Sequence, residues 1–107
     1  MPTVVDVARE FTAMLRQGTF KAAGARFRAD YVTSYEPAGG IMGNAWAGSS
    51  RIDNLGIDGP FVTGDQFALF LDMLIVDRAS GAATPFAEIA VFTVRDAKIT
   101  EERYFYD

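Results

Sequence analysis

The hydrophobic period of this chain changes once, near residue 30, and that change limits its possible folds more than any other feature. Before it, residues 4–17 (VVDVAREFTAMLRQ) repeat apolar side chains at helical spacing. Val4, Val7, Phe11 and Met14 share one face, with Ala8 and Leu15 beside them. Thr3 is placed to cap this helix, with Asp6 three residues on, and Gly18 to end it. TFKAAGARFRAD predicts a second, shorter helix opened by Thr19, with Phe20, Ala23 and Phe27 on one side. After residue 30 the pattern is that of strands. DYVTSYEP reads as a strand ended by Pro37. LGIDGPFV, DQFALFLDMLIVD, TPFAEIAVFTV and KITEERYFYD read as a meander of about four strands, turned at TGD, RASGAA and RDA. Asp96-Ala97 is a poorer turn than Asp-Gly, because Ala resists positive φ. Residues 38–54, rich in Gly, Ala, Ser and Asn, are expected to form a loop with one or two helical turns. Helices first and strands afterwards imply an α+β fold.

With 107 residues, the expectation is one domain over 1–107. The net charge of −4 and the lack of any basic run longer than two residues argue against a nucleic-acid partner. The longest apolar run, FALFLDMLIV, is broken by Asp72 and too short to span a bilayer, and MPTVVDVARE does not read as a signal peptide. A cytoplasmic protein without membrane contact is expected. The chain has no His and no Cys, which excludes disulfides, thiol nucleophiles, the usual zinc sites and a Ser-His-Asp triad. No metal and no cofactor is expected. Proton chemistry near neutral pH would need a carboxylate, Lys or Tyr of shifted pKa.

One acid stands out. Glu88 lies in FAEIAVFTVRD, where every other interior residue is apolar or Thr. A carboxylate there needs a partner, a pocket or a bend. With Asp96 and Ala97 as central turn residues, Arg95 faces Lys98 and Glu88 faces Phe105. Arg103 is then a diagonal neighbour, and an ion pair with it is the expected answer. In that register Glu102 lies on the opposite face, so Glu88 and Glu102 line one pocket only if a bulge flips the parity. Asp72 suggests an edge position or a bulge. Trp46, the only Trp, is a lid for a pocket or a core plug, and Tyr31 and Tyr104 are the strand aromatics taken as pocket candidates. One sheet face carries Phe92, Val94, Ile99 and Phe105, the other Ile89, Val91, Tyr104 and Tyr106. Either would be a large apolar patch in water, so a homodimer packed sheet to sheet is expected.

The order of elements, the paired helices in EFTAMLRQGTFKAAGARFRADYV and the ending VRDAKITEERYFYD resemble SnoaL-like proteins of the nuclear transport factor 2-like, or cystatin-like, superfamily. The resemblance implies helices packed on a curved, mostly antiparallel sheet around a conical pocket for a small apolar ligand. It also implies roles. Glu36, followed by Pro37, is similar to the Asp-Pro of ketosteroid isomerases, whose Asp moves a proton. Glu88 lies near their second, protonated Asp. Glu102 is similar to the inward-pointing His or acid of many SnoaL-like last strands. Phe11 stands where the isomerases carry an oxyanion-holding Tyr and has no donor, which argues against steroid isomerisation. The functional expectation is a ligand-binding domain whose apolar pocket holds a few carboxylates. The alternatives are an isomerase, cyclase or hydrolase with Glu36, Glu88 or Glu102 as base, and a non-catalytic dimerisation module.

Overall fold

In the computed structural model, which describes residues 1–37 and 50–106, helix α1 (Val4–Arg16) starts at a capping box. The Asp6 amide donates to the Thr3 hydroxyl at 3.1 Å and the Thr3 amide to the Asp6 carboxylate at 3.0 Å. Val7, Ala8 and Phe11 are buried on its inner face, and Gly18, at φ +79°, follows its end. Arg16 donates to the carbonyls of Ile57 and Gly59, at 3.2 and 2.9 Å, and so ties the end of α1 to the sheet. Helix α2 (Phe20–Phe27) buries Ala23 and Phe27, and Phe27 meets Phe11 edge-on at 6.2 Å. It is shorter than expected, because Arg28 is already extended and opens the first strand.

The strands are β1 (Arg28–Tyr35), β2 (Ser50–Thr63), β3 (Gln66–Asp77), β4 (Ala83–Arg95) and β5 (Lys98–Phe105). They form one mixed sheet in the order β1-β5-β4-β3-β2. The meander β2 to β5 is antiparallel throughout, as read from the turns, and β1 joins it parallel to β5. Both helices pack on one face. There Phe67 and Phe92 stack at 4.8 Å, and Phe11 closes on both rings at 6.1 and 5.3 Å. The loop expected for 38–54 is corrected at its end. Ser50–Asp53 belongs to β2 and pairs with Leu74–Asp77, because the long β3 presents backbone groups there that need partners. Gly56 lies opposite Asp72, just past one of two register shifts in β2, so Asp72 is exposed opposite a bulged strand. No helix among the described residues is long and apolar enough to cross a membrane.

The terminal hairpin decides the site. Its turn is as expected, with Arg95 opposite Lys98. Thr93 pairs with Glu101 while Val94 pairs with Ile99, so Thr100 is an extra residue. Beyond this bulge the parity of β5 is reversed. Ile99 before it and Glu102 after it both face the helices, 0% and 4% exposed. The face assignments made without a bulge are therefore corrected. Phe92, Val94, Ile99 and Tyr104 face inward, while Ile89, Val91 and Phe105 lie on the outer face. Phe61 and Phe70 also belong to the exposed apolar surface, edge to face at 5.6 Å.

Asp96 and Ala97 take φ +51° and +62°. A left-handed Ala costs roughly 1–2 kcal/mol, and Gly does not incur this cost. Ala97 is also half-buried against the core, so some packing is lost with its methyl. Ala97→Gly is expected to stabilise the chain by about 1 kcal/mol net, a rise of roughly 5 °C in melting temperature. A fall in melting temperature would show that the methyl contact outweighs the backbone strain.

Candidate functional site

Between the helices and the sheet lies a cavity of about 770 Å³. Buried Phe11, Leu71 and Phe92 line its interior, and half-buried Leu15, Phe20, Ile52 and Leu55 its walls. Glu36, Glu88 and Glu102 all line this one cavity. The reason is parity on three strands. On β5 the Thr100 bulge turns Glu102 and Tyr104 inward. On β1 the parallel register sets Ser34 beside Glu102, and Glu36, two residues on, leaves from the same side just past the strand end. On β4 Glu88 alternates inward with Ala90 and Phe92.

Glu102 is held. Arg28 donates to its Oε2 at 2.7 Å and the Tyr104 hydroxyl donates to the same oxygen at 2.9 Å. Burial, and then the Glu102 charge, push the Tyr104 hydroxyl above its usual pKa, so it stays a donor. Glu88 is not held. It is 4% exposed, and among the described residues neither of its carboxyl oxygens has a hydrogen-bond partner. Burial raises its pKa from 4.5 to about 7, and the charges of Glu36 and Glu102 act in the same direction. The site thus sets one carboxylate fixed by an arginine and a tyrosine beside one carboxyl group poised to gain or lose a proton near neutral pH.

The expected Glu88–Arg103 pair is corrected. Arg103 pairs in the ladder with Val91, on the outward parity, where it donates to Glu101 at 2.8 Å and lies 4.2 Å over the Tyr35 ring. A register without the bulge would have put it beside Glu88. Phe11 and Tyr104 line the cavity. Tyr31 does not line it and is 84% exposed, because its position on β1 points away from the helices. Trp46 lies outside the described residues. Arg28 was missed. It reads as a routine surface cation at a helix end, and only the parallel pairing of β1 with β5 reveals its partner. A second, wider-open hollow of about 950 Å³ borders the outer face at Phe70, Ile89 and Phe105 and reaches Glu88 from behind. Among the described residues no group of three or more potential ligands is disposed to hold a metal ion.

No family model matches the sequence, and no curated protein is significantly similar to it. Solved structures are similar. A Mesorhizobium loti protein, described both as a SnoaL-like polyketide cyclase and as a carbohydrate phosphatase, is 32% identical over 98% of this chain and 100% of its own, with a TM-score of 0.87. A Burkholderia thailandensis NTF2-like protein is 16% identical over 100% of this chain and 92% of its own, with a TM-score of 0.81. A Xanthomonas campestris protein with a cystatin-like fold is 18% identical over 98% and 91%, with a TM-score of 0.72. The last two share the fold alone. The first settles the relationship: the chain belongs to the SnoaL-like proteins, and it shares its fold with the NTF2-like and cystatin-like structures.

Proposed function

We propose that the chain binds a small, largely apolar molecule in the helix–sheet cavity and exchanges a proton with it through Glu88. The observation that carries this reading is Glu88 itself, a buried carboxyl with no hydrogen-bond partner among the described residues, on the wall of an apolar cavity. Leaving such a group unsatisfied costs roughly 1–3 kcal/mol, and a ligand that pairs with it recovers that cost. In its ionised form Glu88 takes a proton from a carbon beside a carbonyl, and in its protonated form it returns one. Arg28, whose guanidinium has N–H groups beyond the one used on Glu102, is the donor proposed for the carbonyl oxygen. Tyr104 is not, since its proton is committed to Glu102. Glu36, exposed at the rim, is a second acid within reach of the ligand. The polyketide-cyclase description of the Mesorhizobium loti relative is in keeping with a carbonyl-bearing carbon skeleton.

The test is an NMR titration with a neutral aromatic ketone, 2-acetylnaphthalene, in D2O at pH 7.5. Resonances of Glu88, Phe92 and Tyr104 are expected to shift on binding. The protons beside the carbonyl are expected to exchange for deuterium faster with the parent chain than with Glu88→Gln. Binding without exchange would leave a non-catalytic ligand pocket. No shift at cavity residues up to millimolar ketone would sink the reading.

We also propose that the outer sheet face, where Phe70, Ile89 and Phe105 are exposed, packs against a second copy of the chain. Sedimentation at micromolar concentration should then give a dimer, and Phe105→Glu a monomer. A parent chain that sediments as a monomer would remove this proposal.

A further inference from the structure

We infer that the ligand of this cavity is an amphiphilic anion, an apolar ring system bearing a carboxylate, and that Lys21, Arg51 and Arg78 at the rim select it. The inference rests on the ligand-binding reading above and adds the charge of the ligand. Its basis is how charge is distributed. The whole chain carries ten cationic side chains and fourteen acidic ones. Four of those ten cations line this cavity, as Lys21, Arg28, Arg51 and Arg78, against three of the fourteen acids, with Asp53 as a fourth acid behind Arg51. An acidic protein has gathered cations around an apolar hollow.

Burial sorts these groups into floor and rim. The floor is Phe11, Leu71 and Phe92 with Glu88 and Glu102, all buried, and it has one arginine turned to it, Arg28, which Glu102 already engages. Lys21, Arg51 and Arg78 are exposed and stand around the opening on two sides. Lys21 comes from the first turn of α2. Arg51 and Arg78 come from the opposite wall, where Ser50 pairs with Asp77 at the end of the β2–β3 hairpin. Asp53 holds Arg51 through two bonds of 2.9 Å, which fixes its guanidinium in place and leaves further N–H groups for a ligand. Among the described residues Lys21 has no ion pair. Glu36 is the acid at the rim that lines the cavity itself, Asp53 stands behind Arg51, and Ser34 adds a neutral hydroxyl. A cationic ligand would have to pass Lys21 and Arg78, with Arg51 already paired to Asp53, to reach Glu36. An anionic one is drawn toward the opening and needs no buried charge, because its ring enters the floor and its carboxylate stays at the wet rim.

The experiment compares three naphthalenes of nearly equal size by calorimetric titration of the full chain: 2-naphthoate, 2-naphthamide and 2-naphthylmethylammonium. In 20 mM salt the carboxylate is expected to bind about 10-fold tighter than the amide, since each rim cation at an exposed site is worth roughly a 2- to 5-fold change. In 300 mM salt the advantage should fall to about 3-fold or less. Lys21→Gln should weaken naphthoate about 3-fold and leave naphthamide unchanged, which separates rim charge from any loss of fold. Equal affinities for acid and amide, or tightest binding of the ammonium, would overturn the anion inference while the pocket reading stands. Failure of all three to bind would overturn both.

Discussion

Glu88→Gln is expected to melt higher than the parent chain at pH 8 and close to it at pH 5. The sign follows from the direction of the shift. The Glu88 carboxyl titrates near 7 in the folded chain against 4.5 as its ordinary value, so between those two pH values the folded state binds more protons than the unfolded one. Stability therefore falls as pH rises from about 4.5 to about 7, and the full penalty remains above that. A shift of this size corresponds to about 3 kcal/mol. Access of water through the cavity mouth reduces this to about 2 kcal/mol. Gln has the shape of the protonated acid and never ionises, so it avoids the penalty. For a domain of this length the difference is roughly 10 °C at pH 8. At pH 5 both side chains are neutral and should differ by less than about 1 kcal/mol. Thermal melts of the two proteins across pH 4–9 measure this directly. A Gln variant that melts lower than the parent at pH 8 would mean that Glu88 has a cationic partner when ionised. The proposed proton exchange would then lose its basis. The ion-pair expectation drawn from the bulge-free register predicts that opposite sign, so one experiment separates the two structures of the hairpin.

Most of the fold was legible because its signals are local. Thr3 and Asp6 cap α1 as their spacing implies, Gly18 follows its end, and the turn at Asp96-Ala97 closes the last hairpin where it was placed. The site was legible only as a set of names. Glu36, Glu88, Glu102, Phe11 and Tyr104 do line one cavity, yet the reason they meet is a single extra residue, Thr100. Nothing in KITEERYF marks a bulge, because Thr is at home in a regular strand. The bulge answers a need that spans the whole sheet. Ile99 must fill the core, and two residues of the opposite parity, Glu102 and Tyr104, must line the cavity. Arg28 escaped notice for a related reason. Its partner lies 74 residues away and is reached only through a parallel pairing that no hairpin rule predicts.

Arg28→Met is expected to destabilise the chain by about 2 kcal/mol, and the loss should largely disappear when Glu102→Gln is added. Glu102 is 6% exposed at its side chain, and Arg28 is its cationic partner among the described residues. Removing that partner leaves a buried carboxylate with one hydroxyl donor, an arrangement that costs 3–5 kcal/mol where burial is complete. Arg28 itself is 45% exposed at its side chain, so water reaches the pair and the cost is discounted to about 2. The reverse change is milder. Glu102→Gln alone leaves an arginine that can turn to solvent, and about 1 kcal/mol is expected. In the double variant the unpaired charge at position 102 is gone, so it should be no worse than the milder single change, with a coupling of about 2 kcal/mol. Denaturant unfolding of the four proteins at pH 7 gives that coupling. Additivity within about 0.5 kcal/mol would mean that the pair is solvated and that Tyr104 alone orients Glu102. The cycle also bears on the cavity. Tyr104 donates to the same Oε2 that Arg28 engages. Once Arg28 is gone, Glu102 is free to swing and the donor proposed for the ketone oxygen is lost, so a bound ketone should lose affinity in Arg28→Met by more than stability alone accounts for.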